Sequence, residues 1–236
     1  MALTPNTLVL QRDRLRLLLQ EPTALYWTNA QLNQYINEAQ LNVAVGAVPS
    51  RVSGLEFPLL ASEAFTASVV DQELYSLPPN FYALRTVRMK QTSTATYQEM
   101  PQVDIEYARV HPRTSAPTAE AYFLWGESGT YQLGMYPAFN TATATIWATY
   151  WRTPTEMTSD PDVLQLPLEL HVANTYLAAH KAWLERSHQL ESEAMLNMFI
   201  AEYTAYMVFI TRTQINSKRA IMVGTIGDTD TERTLY

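Results

Sequence analysis

The residue types able to do chemistry are few and poorly spaced for it. Four histidines, His111, His171, His180 and His188, supply the imidazoles. On a continuous helix His171 and His180 fall about 180° apart, so the pair does not converge on one metal ion. There is no cysteine, which removes disulfides, thiol nucleophiles and zinc thiolates together and fits a reducing compartment. Gly126-Glu127-Ser128-Gly129 is one residue short of a nucleophile elbow, and its place between two strand patterns suits a hairpin turn. Asp228, Asp230 and Glu232 alternate like the opening of a calcium loop but lack its glycine and its distal glutamate, so they read as a solvated acidic tail. Asp160 and Asp162 flank Pro161 ahead of a helical pattern, where carboxylates favour a helix N-terminus. No glycine-rich phosphate loop and no His-Glu-x-x-His occurs. The expectation is therefore a protein without catalytic residues, metal ligands or a cofactor.

Charge narrows the partners. Sixteen basic against 23 acidic side chains leave −7, and the longest basic run is Lys218-Arg219, which does not support binding DNA by counterion release. Trp125, Trp147 and Trp151 lie in strand patterns and could stack bases, yet no basic groove accompanies them in the sequence, so packing in a core or interface is the preferred reading. Hydrophobic residues make up 47% and charged ones only 17%; that shortage of charge suits a surface that meets other protein. No run of about 18 apolar residues is present and the N-terminus lacks a signal-peptide pattern, so neither a membrane span nor standard export is expected. At 236 residues the chain is long enough to bury about three quarters of its unfolded surface.

The elements that must position these residues fall in three blocks. Thr4-Pro5 reads as a helix start, with Leu8, Leu15, Leu18 and Leu19 on one side until Glu21-Pro22. In WTNAQLNQYINEAQ, Thr28 and Gln31 have capping-box spacing, and Leu32, Tyr35, Ile36, Ala39 and Val43 form one stripe ending near Gly46. Between Pro49 and Pro154 the period shortens to two. Phe65, Ala67 and Val69 alternate with Thr66 and Ser68, Val87 and Met89 with Arg88 and Lys90, and YFLWGESGTYQLGMYP reads as a hairpin. TATATIWATYW puts Ala142, Ala144, Ile146, Ala148 and Tyr150 on one face and Thr143, Thr145, Trp147, Thr149 and Trp151 on the other, with both faces covered. A short helix is expected within PQVDIEYARVHP.

Helix returns after TPTEMTSDPDVLQLP. Leu170, Ala173, Leu177 and Leu184 lie on one side of it and Val172, Tyr176, Ala179 and Trp183 on another. After a break near Ser187, a small-residue stripe of Ala194, Met198, Ala201 and Ala205 predicts a closely packed last helix, widened by Phe199, Tyr203, Tyr206 and Ile210. Beyond Arg212 the periodicity fades into an extended tail or one ordered on binding. The expected fold is α+β: a helical bundle from 1–48 and 160–215, a β-rich, sandwich or barrel-like insertion over 49–159, and a C-terminal extension over 216–236.

Four stretches in this order resemble the head-to-tail adaptor proteins of tailed double-stranded DNA bacteriophages: WTNAQLNQYINEAQ, ELYSLPPNFYALRTVRM, YFLWGESGTYQLGMYP and YWRTPTEMTSDPDVLQLPLELH. The matching residues are Trp27, Asn37, Glu38, Ala39, Leu77, Pro78, Tyr136, Pro137, Tyr150, Arg152 and Pro154. Pro79-Asn80 departs from the acidic residue expected before Phe81. The resemblance implies a structural virion protein made in the host cytoplasm and placed at the neck, where a self-assembled ring, typically twelvefold, joins the portal to tail or nozzle proteins. Double-stranded DNA would pass through it without sequence-specific binding. It also implies that the C-terminal segment docks on the portal through Ile221, Met222, Val223, Ile226 and Tyr236. The competing reading is a non-viral oligomeric binding module without catalytic activity.

The helix beginning at Thr28 carries seven amides against one charge, Glu38. Its neutral, hydrogen-bonding side suits contact with an acidic neighbour, where carboxylates would repel. Asn33, Gln34, Asn37 and Gln40 are accordingly expected at a subunit interface.

Overall fold

Thr28 and Gln31 close the capping box that the spacing predicts. Gln31 N donates to Thr28 Oγ1 at 3.2 Å and Thr28 N donates to Gln31 Oε1 at 3.0 Å, so two orphan amides at the start of the helix are satisfied reciprocally. Helix α2, Asn29–Val45, follows and stops at Gly46, whose φ of 76° an alanine would resist. Its stripe is buried as expected: Leu32, Ile36, Ala39 and Val43 are fully covered and Tyr35 nearly so. The computed structural model describes residues 6–21, 23, 26–47, 60–91, 96–112, 114–126 and 130–227, with side chains to residue 210.

The chain divides into two compact units, residues 1–40, 48–56 and 157–236 in one and 41–47 with 57–156 in the other. The first is helical: α1 Leu8–Leu18, most of α2, a 3-10 turn Leu168–Leu170, α4 His171–Glu185 and α5 Gln189–Gly227. α4 packs on α5 and α1. Helix α1 begins at Leu8, with Thr7 at its N-cap and no side-chain cap; Thr4 and Pro5 lie outside the described residues. Its first amides are capped from a distant segment, Leu8 N donating to Asp162 O at 2.8 Å and Val9 N to Asp160 O at 3.3 Å. Asp160 and Asp162 thus serve the N-terminus of α1 and not that of the helix following them in sequence. The Asp162 carboxylate meanwhile accepts from Thr158 N, Ser159 N and Ser159 Oγ, which close the turn and hold it below the usual carboxylate range.

Helix α5 corrects two expectations. Its buried row is Ser192, Leu196, Phe199, Tyr203 and Met207, whereas the stripe of Ala194, Met198, Ala201 and Ala205 predicted to pack lies mostly outward, with Met198 46% exposed. Two apolar rows compete for one core, and the row with large aromatics removes more surface from water. The helix also runs on to Gly227, so 216–227 have helical backbone where the fading periodicity predicts a tail that is extended or ordered on binding; 228–236 lie outside the described residues. No proline stops it, and once nucleated each added residue gains a hydrogen bond. In α4, Ala173, Leu177, Ala179 and Trp183 are buried as expected, but Val172 and Leu184 are exposed.

The second unit is built from two antiparallel sheets and a short helix. One sheet has the order β1 (Ala61–Ala67), β7 (Ala144–Arg152), β3 (Phe81–Gln91), β4 (Gln98–Glu99); the other is β2 (Leu74–Ser76), β6 (Gln132–Tyr136), β5 (Ala121–Trp125). A single apolar cluster draws Val87, Met89, Ile146 and Ala148 from the first and Tyr75, Tyr122, Leu133 and Met135 from the second, so each sheet covers the other's inner face. Helix α3, Ile105–Val110, is capped by Asp104, whose side chain accepts from Glu106 N at 2.8 Å. The hairpin is present, Trp125 facing Gln132 and Ala121 facing Tyr136. Glu127, Ser128 and Gly129 lie outside the described residues; the element that follows them is strand β6 and not the helix that a nucleophile elbow leads into.

The expected row of β3 holds and that of β7 holds from Ala144 on, with Ala142 exposed before the strand and the Trp147 face only half-buried, but the row of β1 does not. Phe65 is 59% and Val69 48% exposed, while Ser68 is buried. Ser68 bonds to the start of β7, its N donating to Ala144 O and its Oγ accepting from Ala144 N. That pairing sets the register, and a register fixes which face each side chain takes.

Candidate functional site

The amide side of α2 is held largely by its own chain. Asn37 grips the segment after β7 in both directions, Nδ2 donating to Met157 O and Oδ1 accepting from Met157 N, each at 2.9 Å. Gln40, 1% exposed, accepts from Gln165 N at 2.8 Å. The sequence places both at a subunit interface; Gln40 is instead sealed inside its own chain, and Asn37 is half-buried against residue 157. The signal for Gln40 is its position, four residues after Ile36 on the buried stripe. Asn33 is half-buried and accepts from Arg12 at 3.3 Å. Gln34 is exposed and donates to Glu38 at 2.9 Å, and Lys181 with Gln34 holds the Glu38 carboxyl below its ordinary range.

Beneath this row two arginines of α1, which no local pattern marks, are buried. Arg12 reaches Asp160 at 3.0 Å, and Arg16 donates to Trp27 O at 3.1 Å and Asn29 Oδ1 at 2.7 Å. Guanidinium forks suit such convergent acceptors. The arrangement ties α1, the start of α2 and the 157–165 segment together by polar contacts, and it has no reactive geometry.

The histidines stand apart. His171 Nε2 donates to Leu166 O at 2.9 Å in a buried network that also holds Gln11 and Thr175. His180 Nδ1 lies 2.8 Å from Ser192 Oγ. Among the described residues no group of acidic or imidazole side chains could hold a metal ion; Asp228, Asp230 and Glu232 lie outside them. Burial pushes the His171 imidazole below its ordinary range, against the Leu166 bond, and Arg14 adds to the depression. The unfolded chain then binds more protons than the folded one below the ordinary value of about 6.5. We therefore expect stability to be fully present above that value and to fall as the pH drops towards the folded one. Urea midpoints measured across this window should slope in the wild type and flatten in His171→Gln; equal slopes would remove His171 as the cause.

On the β-rich unit, a groove of about 460 Å³ is lined by Leu74, Ile105, Phe123, Trp125 and Tyr136, with Glu73 and Arg109 as its charged members. Arg109 lies over the Trp125 ring at 4.7 Å. Among the described residues that line it there is no serine, threonine, histidine or lysine. Trp147 and Trp151 sit on the outer face of β7, partly exposed. Ile221, Met222, Val223 and Ile226 fall on the helical backbone of α5, their side chains and the whole of Tyr236 lying outside the described residues.

A helical unit stitched by amides and guanidiniums, and a unit of two antiparallel sheets with a short helix, define an α+β protein. The chain belongs to the SU10 adaptor protein family, whose model matches residues 6–221 and so spans both units. It is thereby a head-to-tail adaptor of the tailed double-stranded DNA phage class, as its four ordered stretches imply. Among solved structures, a chain from the neck of an empty GTA particle, computed with C6 symmetry, is similar at 14% identity. That match covers 78% of this chain and 84% of its own, with a TM-score of 0.28. No curated protein matches.

Proposed function

We propose that the protein forms the adaptor ring that joins the portal to the tail and continues the DNA channel, a structural and non-catalytic role. The family match across residues 6–221 carries this reading. Composition supports it physically. A ring of subunits each bearing −7 presents duplex DNA with a repelling wall, along which it slides without adhering. Low charge and many amides suit the lateral contacts of such a ring.

Portal docking is assigned to the C-terminal residues Ile221, Met222, Val223, Ile226 and Tyr236. Negative-stain imaging of the purified protein mixed with its portal should show an added ring, and a chain truncated after Asn216 should lose most of its affinity for the portal. A full-length protein that never joins a portal ring sinks the adaptor reading; a truncated one that binds undiminished sinks only the docking assignment.

Of the four amides, Gln34 and Asn33 retain exposure suited to a neighbouring subunit. Asn33→Glu with Gln34→Glu should weaken ring formation on the portal while leaving the circular dichroism spectrum unchanged and shifting the urea midpoint by the equivalent of only about 0.5 kcal/mol, the cost of setting a second carboxylate beside Glu38. Unaltered ring occupancy would return this side of α2 to an ordinary wetted face.

A further inference from the structure

The outer face of the four-stranded sheet carries an aromatic cluster overlaid by cations. Phe65 and Arg88 flank Trp147 in register on either side. The Phe65 ring stacks on Trp147 with centroids 5.6 Å apart and planes at 13°, and Tyr97 meets the same indole edge-on at 5.1 Å. The Arg88 guanidinium lies 5.2 Å from the Trp147 ring, Arg85 5.4 Å from the Trp151 ring, and Lys90 Nζ 5.8 Å from the Tyr97 ring. None of the three cations takes part in an ion pair among the described residues. Rings beneath a cation fix its position without a carboxylate in contact. On a chain of net −7, this is a preformed patch of rings and three cations, which shares the sheet with Glu99, opposite Arg88 in register, and Glu63, opposite Thr149.

The outward side of α5 has the opposite character. Leu190, Ala194, Met198, Ala201 and Ala205 recur at helical spacing away from the buried row, Leu190 being 81% exposed. Glu191, Glu193 and Glu202 fringe this stripe, and residues 189–210 contain no lysine or arginine. A long apolar row bordered by carboxylates fits an aromatic face studded with cations in both respects, apolar to apolar and charge to charge.

We propose that these two surfaces are the halves of one contact between copies of this chain, the carboxylate-fringed side of α5 on one copy lying on the cation-overlaid sheet face of the next. Two different patches make the contact heterologous, so it propagates into a ring or a filament and does not stop at a two-fold dimer. The inference rests on the adaptor-ring reading for closure, and it names the surfaces through which the copies meet.

The test is sedimentation velocity of the full chain over a range of protein and salt concentrations. Wild type should form species larger than the monomer that dissociate as salt rises. Arg88→Glu with Lys90→Glu, and separately Glu193→Lys with Glu202→Lys, should each weaken association roughly tenfold or more. An equimolar mixture of the two reversed proteins should restore it, because the acidic helix of one then meets the cationic face of the other and the reversed halves also match. Restoration shows that both variants fold. A wild type that stays monomeric throughout, reversals without effect, or a mixture that stays dissociated overturns the proposal. So does a wild type that binds a single-stranded oligonucleotide through Arg88 and Lys90 without self-associating. If portal rings form while the reversals change nothing, this contact fails and the adaptor reading stands. Charge-reversible self-assembly without any portal binding keeps the contact and sinks the adaptor reading.

Discussion

Trp27→Ala is expected to cost about 3–5 kcal/mol of folding stability, the range for removing a buried indole. The side chain is 1% exposed and meets Tyr26 and Tyr35 edge-on at 4.8 and 5.7 Å. Its backbone is held as firmly: Trp27 N donates to both oxygens of Glu21, at 3.1 and 3.2 Å, and Trp27 O accepts from Arg16. Those bonds survive the substitution, so the loss reports the indole and not the turn. Against a typical total of about 5–15 kcal/mol, a deficit of this size leaves a marginal helical unit. Urea unfolding of the isolated protein should show a midpoint far below wild type, with Trp27→Phe between the two because it keeps the edge-on contact with Tyr35. A midpoint shift equivalent to under about 1 kcal/mol would mean that the indole is dispensable to the core.

How much of this is legible in the sequence depends on how local each signal is. The capping box of Thr28 and Gln31, the stop at Gly46 and the hairpin around Gly126 are written within a few residues of where they act, and all three are present. The buried stripe of α2 is equally plain, since its polar side offers no competing apolar row. Helix α5 is not, because Ala194, Met198, Ala201 and Ala205 and the row of Leu196, Phe199, Tyr203 and Met207 both have helical spacing. Only the packing of α4 decides between them. Gln40 misleads for the opposite reason: its type suggests water, whereas its position on the stripe places it inside, where Gln165 supplies the missing partner. The cap of α1 by the carbonyls of Asp160 and Asp162, about 150 residues further along the chain, leaves no local trace. Nor does the cation-aromatic face, since Phe65, Arg88 and Trp147 become neighbours only through the register of three strands.

These misleading signals share a physical cause that bears on function. Where local pattern and structure part, a surface belongs to a long-range pairing, and long-range pairing is what an assembly protein must also make with its neighbours. The exposed row of α5 looks like a core row because it is built from the same residue types. An exposed apolar row bordered by charge is the pattern of an interaction surface.

The second large effect is expected across the β5–β6 pair. Gly134 faces Phe123 directly in register, and a Cβ added at Gly134 would lie 2.2 Å from two atoms of the Phe123 ring. The ring occupies the space the glycine leaves empty, and it anchors a cluster with Ala108, Ala121 and Tyr136. Phe123→Ala should therefore cost about 3–5 kcal/mol, and Gly134→Ala about 1–3 kcal/mol by overpacking. The two losses should not add. Once the ring is gone the new methyl enters vacated space, so the double variant should be no less stable than Phe123→Ala alone, a coupling within the range of about 0.5–3 kcal/mol seen for residues in contact. Denaturant unfolding of the four proteins of this cycle measures it directly. Strict additivity would show that the strand backbone, and not the Phe123 ring, requires glycine at 134; coupling would show that the glycine in YFLWGESGTYQLGMYP is there to seat an aromatic ring.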